Sequence, residues 1–408
     1  MTRDFETRDT GQDHTCKRSF SQSRSPASRS QNNMYLHELK LTNFKNCEAA
    51  DLLLSENVNC FVGLNGAGKT NILDSIYYLS FCKSFFGATD KQNIRHEQDF
   101  FAIHGVYSHD GKDDELVSCV QKRDQKKSFR FNKKEYDRLS DHIGKFPLVM
   151  ISPYDRDLIN EGSDLRRKFI DGVISQFDPL YLNALLKYNR ALLQRNMQLK
   201  QFAESRTFDR DLLRLWDDQL AHHADDIHAK RHRFLEEFLP IFQHYYEIVS
   251  GGTEKVNVIY QSRLDEKPLY ELLEESLQQD RYSGYTNVGI HKDDLDFTLD
   301  GHPLKRFGSQ GQQKSFVVSI RLAQFEFNYQ KIGYKPILLL DDIFDKLDDQ
   351  RVMKLVRLVG DDHFGQVFIT DTQRSRIEQL FENTDIDHKI FEVVKGSVKE
   401  IGGGDGLL

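Results

Sequence analysis

Cysteine is scarce in this chain, and nothing about its spacing suggests a job. The five residues, Cys16, Cys47, Cys60, Cys82 and Cys119, form no CxxC pair. That spacing excludes a disulfide-stapled scaffold and a zinc ribbon, and reads as reduced thiols in a cytosolic protein. Long apolar runs are also missing: no stretch approaches the roughly 20 residues needed to cross a bilayer, and residues 1–33 hold no apolar core of the signal-peptide kind. An excess of positive charge is absent too. The net charge is −7 over 408 residues, so any contact with nucleic acid must use a local basic face rather than a generally basic surface. No internal repeat appears, and no heptad run is long enough for an extended coiled coil. With 38% hydrophobic and 29% charged residues, what is left is a soluble globular protein. Its length suits two domains, or one large domain with an insertion.

The first 33 residues are rich in Ser, Arg, Gln, Asp and Thr and nearly free of aliphatic side chains. They cannot bury enough surface to order themselves and read as a disordered tail. From Met34 the pattern changes. "MYLHELKLTNF" alternates in period two, and "VNCFV" (58–62) is a second strand. Ile72, Leu73, Ile76 and Leu79 mark a helix. Short strands at 101–107, 117–120 and 128–131, joined by turn-rich pieces, predict an antiparallel layer. From Asp164 to about residue 250 the pattern is helical with long charged faces. Strand-like "KVNVIY", a short helix, a hairpin around Asp300-Gly301 and the strands "PILLL" (336–340) and "QVFIT" (366–370) follow. The predicted fold is α/β, a head split by a helical insertion: 34–160 and 286–408 as the two parts of the head, and 161–285 as the insertion.

Three stretches carry chemistry. "GLNGAGKT", from Gly63, Leu64, Asn65, Gly66, Ala67 and Gly68 to Lys69 and Thr70, satisfies GxxxxGK[ST] between a strand and a helix. Its glycines let successive N–H groups curl round phosphate oxygens. Lys69 reaches the β and γ phosphates, and the Thr70 hydroxyl can ligate Mg²⁺. Composition alone would produce this pattern in on the order of one chain in a hundred of this length, and the flanking strand and helix make accident rarer still. The chain is expected to bind a nucleoside triphosphate, ATP with Mg²⁺. "ILLLDD" (337–342) is an apolar strand ending in two carboxylates. Beside a phosphate loop, Asp341 is the expected Mg²⁺ partner, and Asp342 the group that orients or deprotonates the attacking water. "GSQGQQKSF" (308–316) places polar residues at the start of a helix whose Phe316, Val317, Ile320, Ala323 and Phe327 should form a buried stripe. A helix start can hold an anion. This order, a phosphate loop, a Ser-x-Gly-Gln helix start and then an acidic pair about 30 residues later, is that of ABC-type ATPases. In these, Ser309, Gly311 and Gln312 would grip the phosphate held by a second protomer, with "DKLD" (345–348) in the turn beside it, so an ATP-dependent homodimer is expected.

From residue 34 onward the chain resembles the RecF family of SMC-like ABC ATPases. The resemblance rests on "LHELKLTNFKN", "GLNGAGKTNILDSIYYLS", "LRRKFIDGVISQFDPLYLNALLKYNRALLQRN", "VGIHKDDLDF", "GSQGQQKS" and "ILLLDDIFDKLD", in that order. It implies an ABC-type P-loop ATPase head with an antiparallel β layer and a helical insertion. It also implies ATP-driven dimerisation on double-stranded DNA near gaps, joint action with RecR and RecO to load RecA, and a cytoplasmic, nucleoid-associated location. Lys45, in "NFKN", matches the basic residue that such heads point at the phosphates. A transporter cassette would lack the 160–285 segment, a translation factor would carry two phosphate loops, and a long-armed SMC head would need a larger separation than that between Gly63 and Ser309. Another SMC-like or ABC-type head acting in a different complex is the remaining alternative. The chain departs from the family in three places. "KSFFG" (83–87) lacks a basic residue, "GIHKDD" (289–294) has Lys292 for Arg, and Asp371 falls where many ABC proteins carry a switch His. The last departure predicts a weak or slow ATPase, and the resemblance implies one stimulated by DNA. His291, Asp293 and Asp294 lie close enough in sequence to raise a metal site, though tight turns use the same residues. The densest basic stretch, 121–138, is the first candidate for DNA, and Arg166, Arg167 and Lys168 are the second.

Overall fold

"ILLL" is apolar at every position because both of its faces are covered. The computed structural model describes residues 34–109, 113–252, 254–343, 364–382, 384 and 386–404; the N-terminal tail and "DKLD" lie outside them. Residues 32–408 cluster as one unit. The strands are β1 (Met34–Phe44), β2 (Cys47–Leu53), β3 (Val58–Val62), β4 (Phe100–His109), β5 (Glu115–Lys122), β6 (Ser128–Phe131), β7 (Lys134–Glu135), β8 (Leu148–Ile151), β9 (Val256–Gln261), β10 (Asp294–Leu299), β11 (His302–Pro303), β12 (Ile337–Leu340), β13 (Val367–Asp371), β14 (His388–Val394) and β15 (Ser397–Gly404). The α-helices among the described residues are α1 (Lys69–Phe81), α2 (Asp157–Asn160), α3 (Ser163–Ile174), α4 (Pro179–Ser205), α5 (Arg210–Ser250), α6 (Leu269–Ser283), α7 (Leu304–Phe307) and α8 (Gln310–Ile332), with a further helix at Arg374–Phe381.

The central sheet runs β15-β14-β3-β13-β12-β8. It is parallel except for β15, which pairs antiparallel with β14 at the edge. Successive side chains point to opposite faces of a strand. Phe61, Leu148, Met150, Ile337, Leu339, Phe368 and Phe391 therefore pack into one core with α1 and the antiparallel sheet β2-β1-β4-β5-β6-β7. Cys60, Val62, Val149, Ile151, Leu338, Leu340, Val367 and Ile369 pack into the other, with α3, α4, α5 and α8. Two-sided burial is the usual reason a parallel strand reads as a continuous apolar run.

The helical segment shares the second core. Only its tip has a separate small cluster, Leu199, Phe202 and Leu213, with Phe208 and Leu277 against it. α4 and α5 are joined at Arg206–Asp209, where Arg206 takes φ 54 to cap α4 and the Asp209 side chain accepts from Asp211 and Leu212 N–H to start α5. Two buried arginines hold this segment. Arg195 reaches Asp217 and Asp280, both at 2.6 Å, and Arg231 reaches Asp171 at 2.8 Å and Asp293 at 3.0 Å.

The predicted stripe on α8 is buried, but so are Ser315, Val318, Ser319, Leu322, Gln324, Phe325 and Asn328. The helix is covered nearly all round because it lies between the central sheet and α5. The Asp300-Gly301 hairpin forms as expected between β10 and β11, with φ 48 and 80 at the two residues.

Candidate functional site

β3, β12 and β13 run parallel and all finish at the same carboxyl end of the sheet, which is where ligands sit in open α/β folds. In register, Val62 lies opposite Asp371 and Leu340 opposite Ile369. The turn after β3, the carboxylate pair after β12 and the end of β13 are thereby brought together, although Thr70 and Asp341 are 271 positions apart in the chain.

After Val62 the chain turns through Gly63–Gly68 and enters α1 at Lys69. Gly68 caps that helix at φ 117, and a Cβ there would stand 2.6 Å from the Asn46 side chain. A Cβ on Gly63 would meet the Val393 carbonyl at 2.3 Å. The loop is thus gripped from two sides. Asn46, in the β1–β2 turn, donates to the Ala67 carbonyl at 3.0 Å and accepts from Asn71 at 2.8 Å. From the β14–β15 turn, Gly396 N–H donates to the same Ala67 carbonyl at 2.8 Å. Neither Asn46 nor the β14–β15 hairpin was expected at the site, since neither has a motif of its own.

The Lys69 ammonium folds back over the loop, donating to the Gly63 carbonyl at 2.8 Å and the Leu64 carbonyl at 3.3 Å, and lies 3.8 Å from Asp342. Leu64, Asn65 and Gly66 form the exposed crest of the loop. Thr70 Oγ1 donates to Asp341 Oδ1 at 2.9 Å. Asp341 is buried, and loss of solvent pushes its carboxyl up to about 6 despite hydrogen bonds from Thr70 and Thr370. A hydroxyl and a desolvated carboxylate on one side of the loop are hard oxygen donors of the kind Mg²⁺ takes. Asp342 is more open and adopts φ 43, a conformation rare for a residue with a side chain. Its N–H donates to Thr370 Oγ1 at 2.8 Å, while that hydroxyl donates to Asp341 at 2.9 Å. Thr370, on the strand between the two motifs, therefore orients both carboxylates. The only sequence signal for it is its place in "FITDT".

Ser309, Gly311 and Gln312 stand apart. Among the described residues no hydrogen bond or ion pair joins them to the loop or to the carboxylates. Ser309 caps α8 by accepting from Gln312 N–H at 3.2 Å, and Gln312 Oε1 accepts from Ser309 N–H at 2.6 Å, a reciprocal capping box. The Gln312 amide also donates to Glu254 at 2.6 Å. The Lys45 ammonium lies 2.6 Å from Asp74, a fully buried carboxylate that also accepts from Ser84 Oγ and Phe85 N–H, each at 2.7 Å. Lys45 thus ties the β1–β2 turn to α1 and to "KSFFG", and its neighbour Asn46 is the residue that touches the loop.

His291, Asp293 and Asp294 are each engaged separately. His291 contacts Tyr188 OH at 2.8 Å and the Thr286 carbonyl at 3.1 Å, and burial lowers its pKa to about 4. Asp293 takes Arg231 and Tyr260, and Asp294 takes Arg166 through both oxygens at 2.6 and 2.9 Å. They do not converge on a common point as metal ligands would. Arg167 donates to the Asp293 carbonyl at 2.6 Å, so these two arginines hold the "GIHKDD" turn. In the basic stretch, the Lys127 ammonium turns inward to Asp90, Tyr78 OH and the Cys82 carbonyl. Lys133 and Lys134 lie at the β6–β7 turn on the outer edge of the antiparallel sheet. Asp371 is buried, accepts from Gln373 N–H at 2.6 Å and pairs with Arg376 at 3.1 Å.

The model of the RecF/RecN/SMC N-terminal domain matches residues 35–396. The chain is 49% identical over 360 residues to the DNA replication and repair protein RecF of Flavobacterium johnsoniae, covering 88% of this chain and all of that one. It is 49% identical over 368 residues to RecF of Phocaeicola vulgatus, covering 90% and 98%. A solved structure of the recombination mediator protein RecF with ATP superposes with a TM-score of 0.84 at 29% identity, over 92% of this chain and all of that one. The Smc head domain of Pyrococcus furiosus superposes at 0.53 with 16% identity, over 90% and 96%, a likeness of fold alone. The fold is the ABC-ATPase head of SMC-like proteins, and the chain belongs to the RecF family.

Proposed function

We propose that the chain is an ATP-dependent DNA-binding clamp of recombinational repair and replication-fork maintenance. One observation carries the reading: Lys69, Thr70, Asp341 and Asp342 meet at the end of the parallel sheet with Thr370 between them. ATP would lie on the Gly63–Thr70 loop, its phosphates surrounded by loop N–H groups and the Lys69 ammonium. Thr70 and Asp341 would hold Mg²⁺, which supplies neutralising charge to the β and γ phosphates when bound. Asp342, the more open member of the pair, would hold the attacking water in line or take its proton. The bond from the γ phosphorus to the bridging oxygen breaks, leaving ADP and phosphate.

Ser309, Gly311 and Gln312 would complete the site of a second protomer, which accounts for their standing apart from the loop of their own chain. The capping box is then the resting arrangement of the grip, and two ATP molecules would join two heads. Asp371, buried against Arg376, puts a carboxylate where a switch His would stand, and this supports slow hydrolysis that resets the clamp. Duplex DNA near gaps, stimulation of hydrolysis by DNA, RecR and RecO as partners in loading RecA, and a cytoplasmic, nucleoid-associated location come from the family. No helix among the described residues is long and apolar enough to cross a membrane.

The test is molar mass in solution for the Asp342→Asn variant, with and without ATP and Mg²⁺, and with and without duplex DNA. ATP should double the mass, and adding Ser309→Arg should abolish the doubling. A monomer in every condition would overturn the composite site for the chain acting alone.

A further inference from the structure

A second convergence of side chains lies in the helical segment, outside the nucleotide machinery. His228 and His232 sit one turn apart on α5, so both imidazoles project from the same face. Asp265, from the short 3-10 turn Arg263–Asp265 that follows β9, meets them there. The two Nε2 atoms are 3.2 Å apart, and Asp265 Oδ1 stands 2.9 Å from His228 Nε2 and 2.8 Å from His232 Nε2. Three ligand atoms from two elements thus occupy the corners of one small triangle. Bond lengths of about 2.0–2.1 Å around a tetrahedral ion place ligand atoms roughly 3.3 Å apart. The His–His edge nearly has that length, and the two edges to Asp265 must each open by about half an ångström.

The surroundings brace the triangle. The Tyr260 ring packs against both imidazoles, with centroids 5.7 Å from His228 and 4.9 Å from His232, and its hydroxyl donates to buried Asp293. Ser262 caps the turn that carries Asp265, accepting from Leu264 N–H at 3.2 Å. Arg231, between the two histidines in sequence, points inward to Asp171 and Asp293, so this turn of α5 cannot rotate freely. The histidine side chains are 18% and 40% exposed and Asp265 is 40% exposed, which leaves the triangle open to an ion from solvent.

We propose that His228, His232 and Asp265 form a binding site for a divalent transition metal, with Zn²⁺ the best fit. Two imidazole nitrogens and one carboxylate oxygen, with a fourth position open to water, suit Zn²⁺, Co²⁺ or Ni²⁺. They do not suit Mg²⁺ or Ca²⁺, which take oxygen. The bound ion would fasten α5 to the end of β9. That is a structural clamp, independent of the ATP reading.

The experiment uses the full-length chain stripped with chelator and then titrated calorimetrically with Zn²⁺ at neutral pH, with a parallel Co²⁺ titration followed by absorption. One equivalent of Zn²⁺ should bind. Co²⁺ should give the strong visible bands of a four-coordinate site without thiolate charge transfer. Zn²⁺ should raise the melting temperature by several degrees. His228→Ala, His232→Ala and Asp265→Asn should each lose stoichiometric uptake and the thermal shift, whereas His223→Ala, a histidine of the same helix outside the triangle, should keep both. His232 and Asp265 are each 40% exposed and Asn is near-isosteric with Asp, while His228 is more buried at 18%, so far-UV circular dichroism checks that each variant keeps the fold. Wild-type protein that takes up no Zn²⁺ would overturn the proposal. So would uptake that survives in the His228→Ala and His232→Ala variants, or cobalt bands with thiolate character, which would assign the ion to cysteines.

Discussion

At the residue scale the two adjacent carboxylates have different environments and should behave differently. Asp341 is buried between two hydroxyls with its pKa raised to about 6, while Asp342 is half-buried beside Lys69. A carboxyl that binds its proton more tightly when folded lowers stability as pH rises from its unfolded value, near 3.8, to its folded value, near 6. Above that window the penalty is fully present. Asp341→Asn should therefore stabilise the nucleotide-free protein by roughly 1–3 kcal/mol at pH 8 and give almost no gain near pH 4, as urea melts at both pH values would measure. The same variant should lose Mg²⁺-dependent nucleotide affinity. In the wild type that affinity should weaken as pH falls through about 6. Asp342→Asn should leave ATP binding intact and slow hydrolysis by on the order of 100-fold or more, the usual loss of a general base; phosphate release against nucleotide affinity separates the two effects.

Elements impose their own constraints. α8 begins with a reciprocal capping box, so Ser309→Ala should cost the monomer about 1 kcal/mol in a denaturant melt. Ser309→Arg tests the separate proposal of a cross-protomer contact. Within the helical segment, Arg231 joins α3, α5 and the "GIHKDD" turn through Asp171, Asp293 and the Ile290 carbonyl. Removing it takes the cation from buried Asp293 and half-buried Asp171 and leaves each with a tyrosine hydroxyl in its place, and Arg231→Ala should cost about 3–5 kcal/mol, measured as a shift in the urea midpoint. His291 explains why a run of ionisable residues need not be a site: one ring nitrogen meets a tyrosine hydroxyl and the other a backbone carbonyl, so its polar atoms are satisfied inside the turn.

For the whole molecule, the net charge of −7 makes a local basic edge the natural place for DNA. The β5–β7 edge carries Lys122, Lys126, Lys133 and Lys134, but Lys127 belongs to the interior, tied to Asp90. Duplex affinity should fall steeply with salt. Each phosphate that a lysine neutralises adds about 0.9 to the slope of log K against log[salt], so the double variant Lys133→Ala, Lys134→Ala should make that slope shallower by about 1–2. Fluorescence anisotropy over a salt series would show it, and an unchanged slope would move the DNA surface elsewhere.

Much of this protein was legible in one dimension because its signals are local. A phosphate loop needs glycines at fixed spacing next to a strand and a helix, and "GLNGAGKT" has them. A doubly covered parallel strand must be apolar throughout, and "ILLL" is. Period-two alternation marked β1, and the end of the helical pattern near residue 250 marked the end of α5. What the sequence could not determine is which distant segments meet. Thr370 reads as one more strand residue until β13 lies between β3 and β12. Asn46 reads as a turn residue until it closes on Ala67. Lys45, matched to a phosphate-facing residue, and Lys127, one charge of the basic stretch, show their carboxylate partners Asp74 and Asp90 only in three dimensions. His228, His232 and Asp265 carry no motif across their spacing. These pairings depend on strand order and helix packing, which bring together residues tens to hundreds of positions apart. Sequence periodicity reports which face of an element is buried, and the tertiary structure alone decides what that face is buried against.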